Sequence, residues 1–181
     1  MLFYFTYYKC KKITKILSVY IYICYNNFGD NMDYRITTHD ERETIEIAQN
    51  LESEKFENMV ICLEGDLGSG KTIFTKGFAQ ALGIEENITS PTFNIIKEYL
   101  NGEMPLYHMD VYRLDGKVDG IGLEDYFKKG GVVIIEWADM IHDYLPEERL
   151  DIKFKIIDEE TRTLVFIPHG QQYEEICEAV L

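Results

Sequence analysis

Residues Gly65 to Thr72 read Gly-Asp-Leu-Gly-Ser-Gly-Lys-Thr, and nothing else in the chain limits its fold so sharply. The spacing is that of G-x-x-x-x-G-K-[ST], a loop that cradles phosphates with its own backbone. It sits between a buried strand and the first turn of a helix. Met59-Val60-Ile61-Cys62-Leu63 is a continuous apolar run, read as the strand. Thr72 to Leu82 reads as the helix, with Phe74, Phe78, Ala81 and Leu82 on one face and Gly83 as its stop. Gly65, Gly68 and Gly70 let the backbone turn through positive φ and come close to a polyphosphate. Asp66, Leu67 and Ser69 contribute backbone, while the loop's N–H groups and the helix start direct partial positive charge at the anion. Lys71 adds a mobile cation for the β/γ-phosphates, and the Thr72 hydroxyl can enter a Mg²⁺ shell. The loop predicts a chain that binds a nucleoside triphosphate.

The flanking pattern extends this to an α/β fold: a P-loop NTPase-like, mixed, mainly parallel sheet with helices on both faces. Asp33 to Thr37 reads as a short edge strand, and Thr38-His39-Asp40-Glu41 has the Thr-x-x-Glu spacing of a capping box opening a helix to about Leu51. After an irregular stretch ending in Ser90-Pro91-Thr92-Phe93, strands are expected over 93–100 and 105–110, joined through Asn101-Gly102 as a hairpin. A short helix is expected over 123–128. Val132-Val133-Ile134-Ile135 is apolar on both faces, as suits the centre of a covered sheet. Leu150 to Ile156 alternates strictly and is expected to pair with 161–167, before a C-terminal helix over 173–180.

Charge divides the chain. The net charge is −14, yet residues 1–31 carry four lysines and one acid while the rest holds 14 basic and 31 acidic residues. So acidic a body has no broad basic surface for nucleic acid, so any service to RNA would run through a protein partner. Residues 1–31 also hold six of the thirteen tyrosines, with a basic patch ahead of the apolar run 16–25, which is too short to span a bilayer as a helix. They are read as a non-native or poorly ordered extension, with Met32 as the start of an ATPase domain over 32–181. A packed arm or a membrane-associating segment are the alternatives. The four cysteines show no metal-site spacing, and Cys62 falls in the apolar strand as a small core residue. A cytoplasmic protein is expected.

A nucleotide-bound Mg²⁺ calls for one nearby carboxylate besides Thr72, phosphate oxygens and water. Glu136 ends the apolar run 132–135 and is the better metal candidate. Asp110 ends the preceding strand and is the candidate for positioning or deprotonating the attacking water, so Lys71 and Asp110 form the expected catalytic pair. Thr92, in the segment Ser90 to Phe93, carries a hydroxyl suited to sensing a γ-phosphate. Trp137, the only tryptophan, follows the metal carboxylate and is placed beside the nucleotide or in the core. His108 shares a strand face with Asp110 and reads first as a structural histidine. With no Asn-Lys-x-Asp element for guanine, the base expected is adenine.

The order GDLGSGKT (65–72), SPTF (90–93), YHMDVYRL (107–114), GLEDYF (122–127) and VVIIEWAD (132–139) resembles the TsaE (YjeE) family, over about residues 33–168. The resemblance implies a P-loop ATPase of bacterial tRNA threonylcarbamoyladenosine (t6A) biosynthesis, with ATP and Mg²⁺ as cofactors. It implies slow hydrolysis, with the metal held by Thr72 and Glu136 and with Asp110 tied to hydrolysis. The implied partners are TsaB and TsaD, the latter transferring the threonylcarbamoyl group to adenosine 37 of tRNAs reading ANN codons, so that tRNA is met only through the complex and no membrane is involved. Residues 1–31 have no counterpart in the family pattern. A small-molecule kinase and a nucleotide-dependent binding module are the alternatives, although the arginines stand apart, without the cluster a kinase lid carries.

Overall fold

The structure, a computed structural model, describes residues 9–16, 19–25, 32–114, 118 and 120–181, with the backbone alone before Asp33. The strands are β1 (Lys9–Ile16), β2 (Val19–Tyr25), β3 (Met32–Thr38), β4 (Met59–Glu64), β5 (Ile96–Tyr99), β6 (Leu106–Asp110), β7 (Val132–Glu136), β8 (Arg149–Ile156) and β9 (Arg162–His169). The helices are α1 (Glu41–Glu52), α2 (Lys71–Ala81), α3 (Leu123–Tyr126) and α4 (Gln171–Val180). All strands share one sheet in the order β1-β2-β3-β9-β8-β4-β7-β6-β5. Its centre, β8-β4-β7-β6, is parallel, and its flanks are antiparallel. Of the expected extension, only the backbone of β1 and β2 is described, as a hairpin laid along β3; the other residues of 1–31 lie outside the described residues.

β4 and β7 are apolar up to their terminal glutamates because each feeds two cores. Side chains alternate across a sheet. Met59, Ile61 and Leu63 of β4 and Val132 and Ile134 of β7 join the core beneath α1, α2 and α4. Val60 and Cys62 with Val133 and Ile135 join the opposite core, which includes Leu123 of α3 and Ile141 of the 3-10 turns Ala138–Tyr144. Phe74, Phe78 and Leu82 bury one stripe of α2 completely, each contributing about 1.5–3 kcal/mol of hydrophobic stabilisation. Gly77 on α2 lets α1 cross closely, since a Cβ there would lie 2.9 Å from the Ile45 backbone.

Three local expectations need correction. The helix cap is Asp40, not Thr38: its carboxylate accepts from the Glu43 amide at 2.7 Å, and Glu43 accepts from the His39 amide at 2.7 Å. Thr38 stays in β3, paired with Arg162, and its hydroxyl meets that of Thr44. The first strand of the expected hairpin is shorter than 93–100, running only from Ile96 to Tyr99; the hairpin itself forms, with Asn101-Gly102 inside the six-residue link between β5 and β6. Gly102 is needed there for close approach, because a Cβ would lie 2.8 Å from the Leu82 carbonyl oxygen. Third, β3 is flanked on both sides, by β9 and by the β2 backbone, and so is not an edge.

β8 and β9 are locked by a buried polar cluster. Arg149 sets its guanidinium on both Asp151 oxygens at 2.9 and 3.2 Å, and His169 Nε2 lies 2.7 Å from Asp151 Oδ2. Burial pushes the Asp151 carboxyl up, but the His169 and Arg149 hydrogen bonds outweigh it and hold the group below its ordinary value.

Candidate nucleotide-binding site

The sheet places the chemistry by register. Leu106 of β6 points into the α2-side core, so His108 and Asp110, two and four residues on, share that face. Ile134 and Glu136 do the same on β7. Parallel pairing sets Asp110 opposite Glu136. Both acids therefore emerge at the carboxyl end of the sheet, where the phosphate loop leaves β4 and turns into α2. A cavity of about 770 Å³ opens there. All of the sequence-expected residues except Gly65 and Asp66 line it, and both of those offer carbonyls to Lys71.

The loop's tightest point is Gly65, at φ +141°, where a Cβ would lie 2.6 Å from the Phe154 carbonyl oxygen on β8. The loop is thus pinned against the sheet before it arches away. The Asp66 and Leu67 side chains are exposed, while Ser69 is fully buried. Lys71 folds back on the loop: its Nζ donates to the Gly65 and Asp66 carbonyls at 2.6 and 3.0 Å and lies 3.9 Å from the centre of the Trp137 ring. Burial pulls its ammonium below the ordinary value, and the charges of Glu136 and Asp110 oppose that shift. Trp137 takes φ +64°, a left-handed conformation rare for an aromatic residue, and tilts against Tyr112 with ring centres 4.7 Å apart. The structure thus puts Trp137 at the cavity and not wholly in the core.

Thr72 and Glu136 come together, the Thr72 hydroxyl lying 2.8 and 3.1 Å from the two carboxylate oxygens. That is the pairing a nucleotide-bound Mg²⁺ needs: one hydroxyl and one carboxylate on the same side of a phosphate cradle. Among the described residues no cluster of three or more His, Cys, Asp or Glu side chains forms a cage for a metal. Asp110 is buried and takes hydrogen bonds from the hydroxyls of Ser90 and Thr92, the latter at 3.0 Å, and from the Tyr112 amide at 3.1 Å. Thr92, expected to face a γ-phosphate, is therefore engaged with the acid. The segment is tightened by Ile95, a β-branched residue at φ +65° whose carbonyl accepts the Asp110 amide.

Two walls of the cavity escaped the sequence reading. Asp40, Glu41 and Thr44 at the start of α1 form one, and Glu159, Glu160 and Arg162 around the β8–β9 turn form the other. The polar composition of that turn was visible, but nothing in sequence tied it to a loop some 90 residues earlier.

The comparisons with known proteins bear on this arrangement. The family model described as Threonylcarbamoyl adenosine biosynthesis protein TsaE matches residues 38–164. The chain belongs to the TsaE family. A relative in Bacillus subtilis called tRNA threonylcarbamoyladenosine biosynthesis protein TsaE is 52% identical over 119 residues, covering 66% of this chain and 75% of its own length. TsaE proteins of the same name from Treponema pallidum and Nostoc are 42% and 37% identical, over 60% and 74% of this chain and 81% and 85% of theirs. Among solved structures, Bacillus subtilis YdiB superposes with a TM-score of 0.75 at 42% identity, over 83% of this chain and 95% of that one. The TsaE match includes the phosphate loop, Thr92, Asp110, Glu136 and Trp137, and ends at the third residue of β9, Leu164.

Proposed function

We propose that this chain binds and slowly hydrolyses ATP with Mg²⁺ as a component of the machinery that forms threonylcarbamoyladenosine at position 37 of tRNAs reading ANN codons, acting through TsaB and TsaD in the cytoplasm. The contact between Thr72 and Glu136 at the mouth of a complete phosphate loop carries the reading, and family membership supplies the pathway. The metal, when bound, would neutralise charge on the phosphates. The chain's own residues do the rest. The loop backbone and the start of α2 bind the phosphates, and Lys71 exchanges its two carbonyl contacts for phosphate oxygens. Asp110 orients the attacking water and takes its proton once Ser90 and Thr92 let go. An acid held by two hydroxyls before nucleotide arrives fits low intrinsic turnover, since hydrolysis then waits for the segment 90–95 to move. No helix among the described residues is long and apolar enough to cross a membrane.

We further propose that residues 32–181 form the ATPase domain and that hydrolysis does not need residues 1–31. The test is ATP hydrolysis by the full chain and by residues 32–181, alone and with TsaB and TsaD, beside Lys71→Ala. The reading expects rates that rise with the partners, agree between the two lengths, and vanish in the variant. Phosphate delivered to a metabolite would point to a kinase. Tight nucleotide binding without turnover, even with both partners, would leave a binding module.

A further inference from the structure

His108 is not used by the mechanism above, yet it is one of the few polar side chains sealed completely inside the sheet. It lies opposite Ile134 in the β6–β7 pairing, so Glu136 stands one diagonal step further along the same face. Its Nε2 is 2.8 Å from Glu136 Oε1, and its Nδ1 has no hydrogen-bond partner among the described residues. A carboxylate offers acceptors only, so Nε2 carries the proton and donates. A buried imidazole with one nitrogen unpaired is costly to keep, and apolar packing alone would favour leucine at this position.

The cost has a return at Glu136. The carboxylate has two side-chain donors, His108 and Thr72. Thr72 has a single proton, and its oxygen is the atom that would turn toward a cation. His108 is then the contact that stays. We propose that His108 is a positioning residue for the metal carboxylate: it holds Glu136 Oε1 against β6 and leaves Oε2 free for the cation shell. This rests on the reading of Glu136 as the Mg²⁺ carboxylate. Ligand carboxylates are commonly held by such outer contacts, and losing one weakens metal affinity by about 10–100-fold.

The test compares His108→Leu, which removes the donor, with His108→Gln, whose amide nitrogen can stand near the Nε2 position. The readout is binding, not turnover: ADP is titrated with and without Mg²⁺, followed by the fluorescence of Trp137, the only tryptophan. Affinity in EDTA should change less than about twofold for both variants, while the Mg²⁺ concentration giving half the metal-dependent gain should rise about tenfold or more in His108→Leu and largely recover in His108→Gln. Equal Mg²⁺ requirements in all three proteins would overturn the proposal, as would equal impairment of the two variants, which would mark packing and not hydrogen bonding. If His108→Leu does not fold, His108→Gln is compared with His108→Asn, whose shorter amide cannot reach Glu136, and the same difference is expected. A wild-type protein indifferent to Mg²⁺ would instead remove the reading of Glu136, and this proposal with it.

Discussion

Gly65→Ala should be far more damaging than Gly68→Ala, although both glycines lie in the same loop at positive φ. At Gly68, φ is +76° and a Cβ would meet nothing within 4 Å. Alanine there bears only the backbone strain of a left-handed residue, about 1–3 kcal/mol. At Gly65, φ is +141° and the added carbon would lie 2.6 Å from the Phe154 carbonyl oxygen and 3.0 Å from Ser69 Oγ. Neither neighbour is the free end of a flexible chain: one is backbone inside β8, the other a fully buried side chain. Relief requires moving the loop off the sheet, an overpacking cost of about 1–3 kcal/mol beyond the shared strain. For a domain of this size each kcal/mol lowers the melting temperature by about 2–4 °C, so Gly65→Ala should melt about 2–12 °C below Gly68→Ala. The assay is thermal denaturation of both variants without nucleotide, followed by circular dichroism. Melting temperatures within about 1 °C of each other would refute the argument, showing that the close approach to β8 carries no energy.

Asp110→Asn keeps the shape of the side chain and one acceptor for Ser90 or Thr92, so nucleotide affinity should hold while single-turnover phosphate release falls by about 10²–10⁴; unchanged release would remove Asp110 from the chemistry. The Asp151 carboxyl is held below its ordinary value of 3.8, so its contribution to stability is present above that pH and is lost as pH falls through the lowered value. Asp151→Asn, which leaves Arg149 half-paired in the interior, should therefore cost about 2–4 kcal/mol in urea unfolding at neutral pH, with the gap from wild type narrowing below pH 3.8. A gap independent of pH would show that packing, not charge, sets the loss.

The parts of the site legible in sequence were those where local pattern and chemistry coincide. The phosphate loop declares itself by spacing. Glu136 and Asp110 stand out because a carboxylate ending an apolar strand breaks the pattern that precedes it. Thr38 was misread because the Thr-x-x-Glu spacing is a local signal, and pairing with Arg162 across the sheet overrode it. Asn101-Gly102 marked the β5–β6 hairpin, but its glycine also serves the end of α2, a contact that spacing does not express. The link between His108 and Glu136 depends on β6 lying beside β7, and the walls at Asp40 and Arg162 depend on how α1 and β9 lie beside the loop. Such contacts follow only from strand order, which the sequence pattern leaves open.

The direct pairing of Asp110 with Glu136 has a further consequence, for how this protein can change. Their spacing is inherited from adjacent parallel strands, which lie about 4.8 Å apart wherever they pair. No connecting loop sets it. The length of the connection from Val111 to Gly131 does not set that distance, because only a slip of β6 against β7 would alter it. A one-residue slip would also turn either Leu106, or Val132 and Ile134, out of the core, so selection for folding alone guards the geometry. Tyr112, which holds Asp110 through its amide, and Leu123, which packs in the core, are bound in that connection, so change there is cheap only away from them, while the acids beneath keep their spacing.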